Sequence, residues 1–428
     1  MSAPLYEALL QHRALQRSSF HTPGHKNNPA AFPGNLFSLD FTELPDTDSL
    51  FEASGPILEA EALAAGLFHA QRTLFSAGGC TLCIQAMLRL AVPCGGKLIC
   101  SRIIHRGAVN AMALLDLHPV WAMPEELTTV IAQTPDAYAV YVTSPNYYGQ
   151  VLDIPSISQA CRQRGIPLLV DNAHGAHLMF TQPNLHPLTL GASMTACSAH
   201  KTLNVLTGGA WLNIAEPRFA EEAKAAMALF GSTSPNYSIM ASLDLCRDWI
   251  MHNRDAFLII QEQVQKLREL ALSRGISLPG GQLDPLRLTL DTTPIGLSGT
   301  QAAEFFRASG VEPEYADARY VVLICTPFNS THDFTRLAAA IAALPAGSPL
   351  RMPEHALPPL PETPVSLREA LFAPVETVPL EKAAGRIAAE AACPCPPGMP
   401  VVMPGERIHE DAIKFLSGYG FFTIKVLK

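Results

Sequence analysis

The sequence predicts an α/β protein with a large domain on a mainly parallel sheet, followed by a smaller α+β C-terminal domain. Three observations predict it. Short, nearly continuous apolar runs alternate with helical stretches from about residue 70 to 215. A polar cluster follows each run. Past Gly280-Gly281 the pattern changes to short strands and helices in turn. The length agrees, since 428 residues make two or three domains at roughly 100–200 residues each.

The runs are Lys97–Ser101, Tyr138–Thr143, Ile166–Asp171 and Met194–Ser198. Runs without polar alternation suit parallel strands buried on both faces, joined by helical crossovers. Residues 216–275 read as mainly helical, with apolar residues at helical spacing in Phe219–Leu229 and Asp255–Arg274. The smaller domain, residues 276–428, opens with strand Leu286–Leu290 and a helix near Thr300–Ala308. Strand Tyr320–Thr326 and a helix near Asp333–Leu344 follow. Seven prolines in residues 345–364 form a stiff connector. A helix is expected around Leu380–Ala392. The large domain, with the N-terminal segment, takes residues 1–275.

Composition narrows the function. Hydrophobic residues make up 48% and charged residues 16%, which excludes a disordered chain. The net charge of −8 and the lack of a basic block argue against nucleic acid. No apolar run approaches the ~20 residues of a membrane helix, and Met1–Arg17 lacks the apolar core of a signal peptide. A cytoplasmic protein is expected. The ten cysteines, mostly in apolar runs, read as buried thiols.

The polar clusters carry the chemistry. They are Ser101 to His105, Thr143-Ser144-Pro145-Asn146, Asp171-Asn172-Ala173-His174 and Ser198-Ala199-His200-Lys201. In open α/β sheets, ligands bind beyond the carboxyl ends of the strands, so four such clusters suggest one shared site. Asp171 and Lys201 stand thirty residues apart, the length of one strand–helix–strand unit. That spacing suits pyridoxal phosphate, which needs a lysine amine for its aldehyde and a carboxylate for its ring nitrogen. On spacing alone an ordinary ion pair between a surface lysine and a strand-end aspartate is the more common reading. Gly78-Gly79-Cys80-Thr81 precede a helix, where backbone N–H groups meet phosphate, though such glycines also serve turn geometry alone. His174 and His177 beside Asp171 fall short of a clear metal-ligand set, and no metal is expected.

Six motifs stand in order along the chain: Thr22-Pro23-Gly24-His25-Lys26, Asp40–Pro56, Val170–His177 and Ser198–Leu203, then Ser232–Tyr237 and Pro396-Pro397-Gly398 through Pro404-Gly405-Glu406. Together they resemble the ornithine/lysine/arginine decarboxylases, which are fold-type-I pyridoxal-phosphate enzymes. The resemblance implies decarboxylation of arginine, lysine or ornithine to agmatine or a diamine. It implies that Lys201 holds the cofactor as a Schiff base, Asp171 pairs with the ring nitrogen and His105 stacks on the ring. His174 would lie beside the ring. Gly79, Cys80, Thr81, Ser198 and His200 would line the phosphate pocket, and Thr233 would reach the phosphate of a second subunit in a homodimer or larger homo-oligomer. Glu406 and His21 would stand near the substrate. For Glu406 a plain surface charge is the competing expectation.

The chain departs from the family pattern at Gly78, Gly79, Cys80 and Leu82, where an Asn and several hydroxyls are usual. It also departs at Arg106-Gly107 and Asn172. The chain is similar to the short form without an N-terminal wing domain. Two other functions share the same residues: another pyridoxal-phosphate reaction, such as transamination or elimination, and an inactive decarboxylase-like binding protein.

Overall fold

The computed structural model describes residues 14–26, 28, 40–352, 357–394 and 399–428. The motif residues Pro396-Pro397-Gly398 lie outside the described residues.

After strand β1 (Ser18–Phe20) come α1 (Pro56–Phe68), β2 (Arg72–Ser76), α2 (Gly79–Ala91) and β3 (Lys97–Ser101). Next are α3 (Arg106–Leu114), β4 (His118–Ala122), α4 (Leu127–Gln133), β5 (Ala137–Thr143) and α5 (Ile154–Arg164). Strand β6 (Leu168–Asp171), β7 (Met194–Cys197), the single turn α6 (Ala199–Thr202) and β8 (Ala210–Ile214) complete a seven-stranded sheet of order β2-β8-β7-β6-β5-β3-β4. Within it β4, β3, β5, β6 and β7 pair in parallel, and β8 is antiparallel to both its neighbours. All the strands except β8 therefore end at the same edge.

The strands separate two helical layers by their period of two. Leu98, Cys100, Tyr141 and Leu169 pack with α2 and α3. Ile99, Val140, Val142 and Val170 pack with α4 and α5. Both faces are thus covered, which is why these runs show no polar alternation. The stretch expected as one helix over Phe219–Leu229 is two short ones, α7 (Pro217–Ala220) and α8 (Ala223–Ala228). The long helices α9 (Tyr237–His252) and α10 (Asp255–Ser273) follow.

The smaller unit begins with β9 (Arg287–Asp291), α11 (Gly299–Ala308), β10 (Val311–Pro313), β11 (Tyr315–Ala316), β12 (Tyr320–Ile324) and α12 (Thr331–Ala343). Strands β11-β12-β9 form an antiparallel sheet. Leu288, Phe306, Leu323 and Ile341 share one apolar core with Phe68, Trp211 and Phe257 of the large unit.

Three expectations change here. The N-terminal segment joins the smaller unit as well as the large one, because β1 pairs in parallel with β10. Residues 276–428 are not one packed unit. Helix α13 (Leu367–Phe372), strand β13 (Val375–Pro379), helix α14 (Glu410–Gly418) and strand β14 (Thr423–Leu427) close the chain, and Leu380, Val402, Phe415 and Val426 form a core of their own. The helix expected at Leu380–Ala392 is a single 3₁₀ turn, Leu380–Lys382. Gly385 stops it at φ +76°, and Ile387 and Ala388 pair as extended backbone with Arg407 and Val426.

Candidate active site

The common strand edge gathers four polar turns. Asp171 ends β6, and Lys201 sits in α6 directly after β7, the next strand. A cavity of about 160 Å³ opens there, lined by Asp171, His174, Lys201, His105, Thr143 and Tyr147 among others. The thirty residues between Asp171 and Lys201 therefore bring both to one space.

Asp171 is buried and held from below. Its Oδ2 accepts from the Tyr141 hydroxyl at 3.2 Å and its Oδ1 from the Ala173 N–H at 3.1 Å. Tyr141 reaches it because both side chains project to the same face of adjacent strands. Lys201 Nζ stands 3.0 Å from His174 Nε2. Burial pushes the His174 ring well below the usual imidazole range, and the nearby basic groups Lys201 and Arg287 act the same way. His105 caps α3, with its Nδ1 accepting from the Gly107 N–H at 3.0 Å. The residue is exposed overall. Partial burial of the ring lowers its pKa, and Lys201 adds to this against the pull of Asp171.

The remaining expected residues divide. Gly79 opens α2 at φ +71°, no side chain caps that helix, and no atom lies within 4 Å of where a Gly79 Cβ would stand. The first N–H groups of α2, around Cys80 and Thr81, thus lack a side-chain partner. Ser198 is the N-cap residue of the lysine turn, and His200 Nδ1 pairs with the Gly209 carbonyl at 3.0 Å. Gly24 of the N-terminal motif donates to the His200 carbonyl at 2.7 Å. A Cβ there would stand 2.4 Å from the Leu203 oxygen, so glycine alone allows this approach. An amine, a supported carboxylate, a flat imidazole and an open helix N-terminus make a donor set that fits pyridoxal phosphate.

Of the expected residues, Lys201, Asp171, His105 and His174 line the cavity, whereas Gly79, Cys80, Thr81, Ser198, His200, Thr233, His21 and Glu406 are not among its lining. Thr233 is exposed on the segment before α9. His21 is half-buried, with Nδ1 against the Thr22 carbonyl at 2.5 Å. Glu406 needs correction as a free carboxylate for a substrate cation. It is fully buried, paired with both terminal nitrogens of Arg102 at 2.5 and 2.7 Å, and it accepts the Met403 N–H at 2.7 Å. Its charge is already committed within the chain.

Sequence reasoning missed Tyr141, Tyr147, Arg102 and Arg287. Tyr147 extends a polar cluster that was recognised, and its ring meets the His174 ring edge-on at 5.1 Å. Arg287 is a charged residue inside the apolar run Leu286–Leu290, an anomaly that could have marked it.

The description "Orn/Lys/Arg decarboxylase, major domain" matches residues 3–272, and that family's C-terminal domain matches residues 354–422. Arginine decarboxylase of Bacillus subtilis (strain 168) is 29% identical over 456 residues, covering 96% of this chain and 92% of that protein. Constitutive lysine decarboxylase of Escherichia coli (strain K12) is 22% identical over 550 residues, covering 96% and 76%. Among solved structures, the lysine decarboxylase of Francisella novicida superposes with a TM-score of 0.78 at 18% identity, covering 100% of this chain and 84% of that one. Serine palmitoyltransferase of Sphingomonas wittichii gives 0.61 at 12%, covering 76% and 86%. The large unit has the fold-type-I architecture, and by its matched length the chain belongs to the Orn/Lys/Arg decarboxylase family.

Proposed function

We propose that this protein decarboxylates a basic L-amino acid (arginine, lysine or ornithine) with pyridoxal phosphate. The observation that carries the reading is the convergence of Lys201, Asp171 and His174 on one cavity. When bound, pyridoxal phosphate supplies an aldehyde for the substrate amine and a ring that takes up the electrons of the breaking carboxylate bond.

The chain's residues do the rest. Lys201 Nζ is the amine that would hold the cofactor at its aldehyde, and it would return a proton to the substrate α-carbon. Asp171, fixed by Tyr141 and the Ala173 N–H, holds a proton at the pyridine nitrogen. His105 offers a flat face to the ring, and His174 orients Lys201. Gly79, Cys80, Thr81, Ser198 and His200 bind the phosphate. The exposed Thr233 reaches a second copy, so the working form is a homodimer or a larger homo-oligomer. We place it in the cytoplasm, with its diamine or agmatine feeding polyamine biosynthesis. Among the described residues no helix is long and apolar enough to cross a membrane.

The test supplies each of the three amino acids with pyridoxal phosphate and records CO₂. Release is expected with one of them. Lys201→Ala should lower turnover on the order of 10²–10⁴-fold or more, the range for loss of a positioned proton-transfer group. Full activity in that variant, or a keto acid in place of CO₂, overturns the reading.

A further inference from the structure

Glu314 is a carboxylate beside the cavity to which the proposed chemistry gives no task. It follows β10, where Val311 and Pro313 are buried and the period of two turns Glu312 and Glu314 to the other face. Its backbone N–H donates to the Val322 carbonyl at 2.9 Å, and its side chain is half-buried. Oε1 accepts from the Tyr147 hydroxyl at 2.9 Å and Oε2 from the Thr22 N–H at 2.7 Å. Tyr147 lines the cavity, and its ring meets the His174 and Tyr315 rings edge-on, each at 5.1 Å. Arg287 fixes this corner, with Nη1 donating to the Tyr147 carbonyl at 3.1 Å and Nη2 lying 3.3 Å from His174 Nδ1. Lys201 Nζ stands at His174 Nε2, so His174 and Tyr147 link the amine to the carboxylate.

The charges around the site single it out. Glu406 is committed to Arg102, Asp284 to His177, and Glu312 to Arg17 and Arg307. Glu314 forms no ion pair among the described residues; its two partners are a hydroxyl and a backbone N–H. Lys26 and His21 feel its charge, but Lys26 Nζ donates to the His21 carbonyl at 2.6 Å and His21 Nδ1 stands against the Thr22 carbonyl. Neutral donors orient a carboxylate without cancelling its charge. They fill two of its roughly four lone-pair positions, which leaves room for a cation. Tyrosine rings beside it suit the same guest, because aromatic faces attract ammonium and guanidinium groups. We propose that Glu314, flanked by Tyr147 and Tyr315, receives the distal cation of the basic amino acid and so sets the substrate class. The inference rests on the proposed function, because it names the residue that reads the substrate tail in that same site. It fills the role that the buried Glu406 cannot.

The test is Glu314→Gln in the full chain with pyridoxal phosphate. The amide carbonyl still accepts from Thr22 and the amide N–H still meets Tyr147, so only the charge is lost. The basic amino acid that releases CO₂ is compared with an uncharged isostere: citrulline for arginine, norleucine for ornithine, and the next homologue of norleucine for lysine. In the wild type the charged substrate should lead its isostere in kcat/KM by about 10–100-fold, the range for a charge-assisted hydrogen bond. Glu314→Gln should raise KM for the charged substrate by a similar factor and bring the pair together. Cofactor absorbance and the unfolding midpoint should stay as they are. An unchanged KM with an unchanged ratio overturns the inference, and so does a fall in kcat alone, which marks a structural clamp. A wild type that handles the isostere as well as the charged substrate overturns it whether or not Glu314→Gln folds. Calorimetric titration with agmatine and the diamines reads the same site without turnover, and their binding should weaken by the same factor in Glu314→Gln. A wild type that releases no CO₂ but binds one of these cations through Glu314 overturns the proposed function and leaves the cation site standing; one that binds none of them overturns both.

Discussion

Arg102 and Glu406 are 304 positions apart, and their side chains meet with almost no exposure to solvent. Arg102 also donates through Nε and Nη2 to the carbonyls of Pro400 and Val401. It precedes the Ile103-Ile104-His105 turn that lines the cavity, so the pair ties the C-terminal unit to the site. Removing one partner from a buried ion pair strands the other, at a cost of about 3–5 kcal/mol. Glu406→Ala should lower unfolding free energy by that order in chemical denaturation. The double variant Arg102→Met/Glu406→Met should recover much of the loss, because well-packed apolar side chains often replace such a pair without penalty. A Glu406→Ala protein of unchanged stability but raised KM would restore the substrate role. The sequence marked Glu406 as noteworthy and misread its task, since nothing local to either residue announces a partner so distant. Asp171 and Lys201 were legible because the strand–helix–strand unit that joins them is itself a local pattern.

At the scale of elements, strands were read well where burial on both faces left an unbroken apolar run, as in β3, β5, β6 and β7. The antiparallel β8 and edge strand β4 gave weaker signals; the residues of β4 are half-buried or exposed except Ala122. The 380–392 error has a physical source. Alanine-rich spacing favoured a helix, but pairing with β14 and the turn at Gly385 prevailed. The turn Asn146 to Gly149 shows how one residue type positions a site. Gly149 has φ +84°, and Arg287 Cγ and Cβ fill the space its own Cβ would need. Gly149→Ala combines left-handed strain with a clash, and should cost about 1–3 kcal/mol. It should also displace Arg287, so decarboxylation should fall more than stability alone explains. Activity measured well below the melting temperature checks this; an unchanged rate there would mean that Arg287 tolerates the shift.

Across the whole molecule, two carboxylates, Asp284 and Glu312, join separate pieces of chain, and a third, Asp48, closes a loop. Asp48 closes the loop before α1, where burial raises its pKa but the N–H groups of Ser54, Ser49, Gly55 and Ile57 bring it below the usual range. Asp284 joins β9 to the turn after β6 through His177 Nε2 at 2.7 Å. Burial raises it too, and His177, Arg287 and the Leu286 N–H outweigh that. Glu312 of β10 holds Arg17 and Arg307, each at 2.6 Å, which lower it against burial. Each therefore binds its proton less readily in the folded chain than in the unfolded one. Their contribution is complete above the unfolded carboxyl pKa of about 4 and is lost as pH falls through the lower folded values. Glu61, raised by burial beside Lys224, works in the opposite direction. The expected result is a plateau above about pH 7, a decline below it because the unfolded chain protonates imidazoles that His174 and His105 keep neutral in the fold, and a steeper fall below about 4 as the carboxylates add to it. Denaturant midpoints across pH measure it. Asp284→Asn should lower the plateau and flatten the acid limb, because the variant has no proton to gain at that joint. A fall equally steep in Asp284→Asn would place the acid sensitivity elsewhere. Because the Asp284 and Glu312 joints link the N-terminal segment, the smaller unit and the sheet, acid should separate these pieces before it dissolves the apolar cores between them.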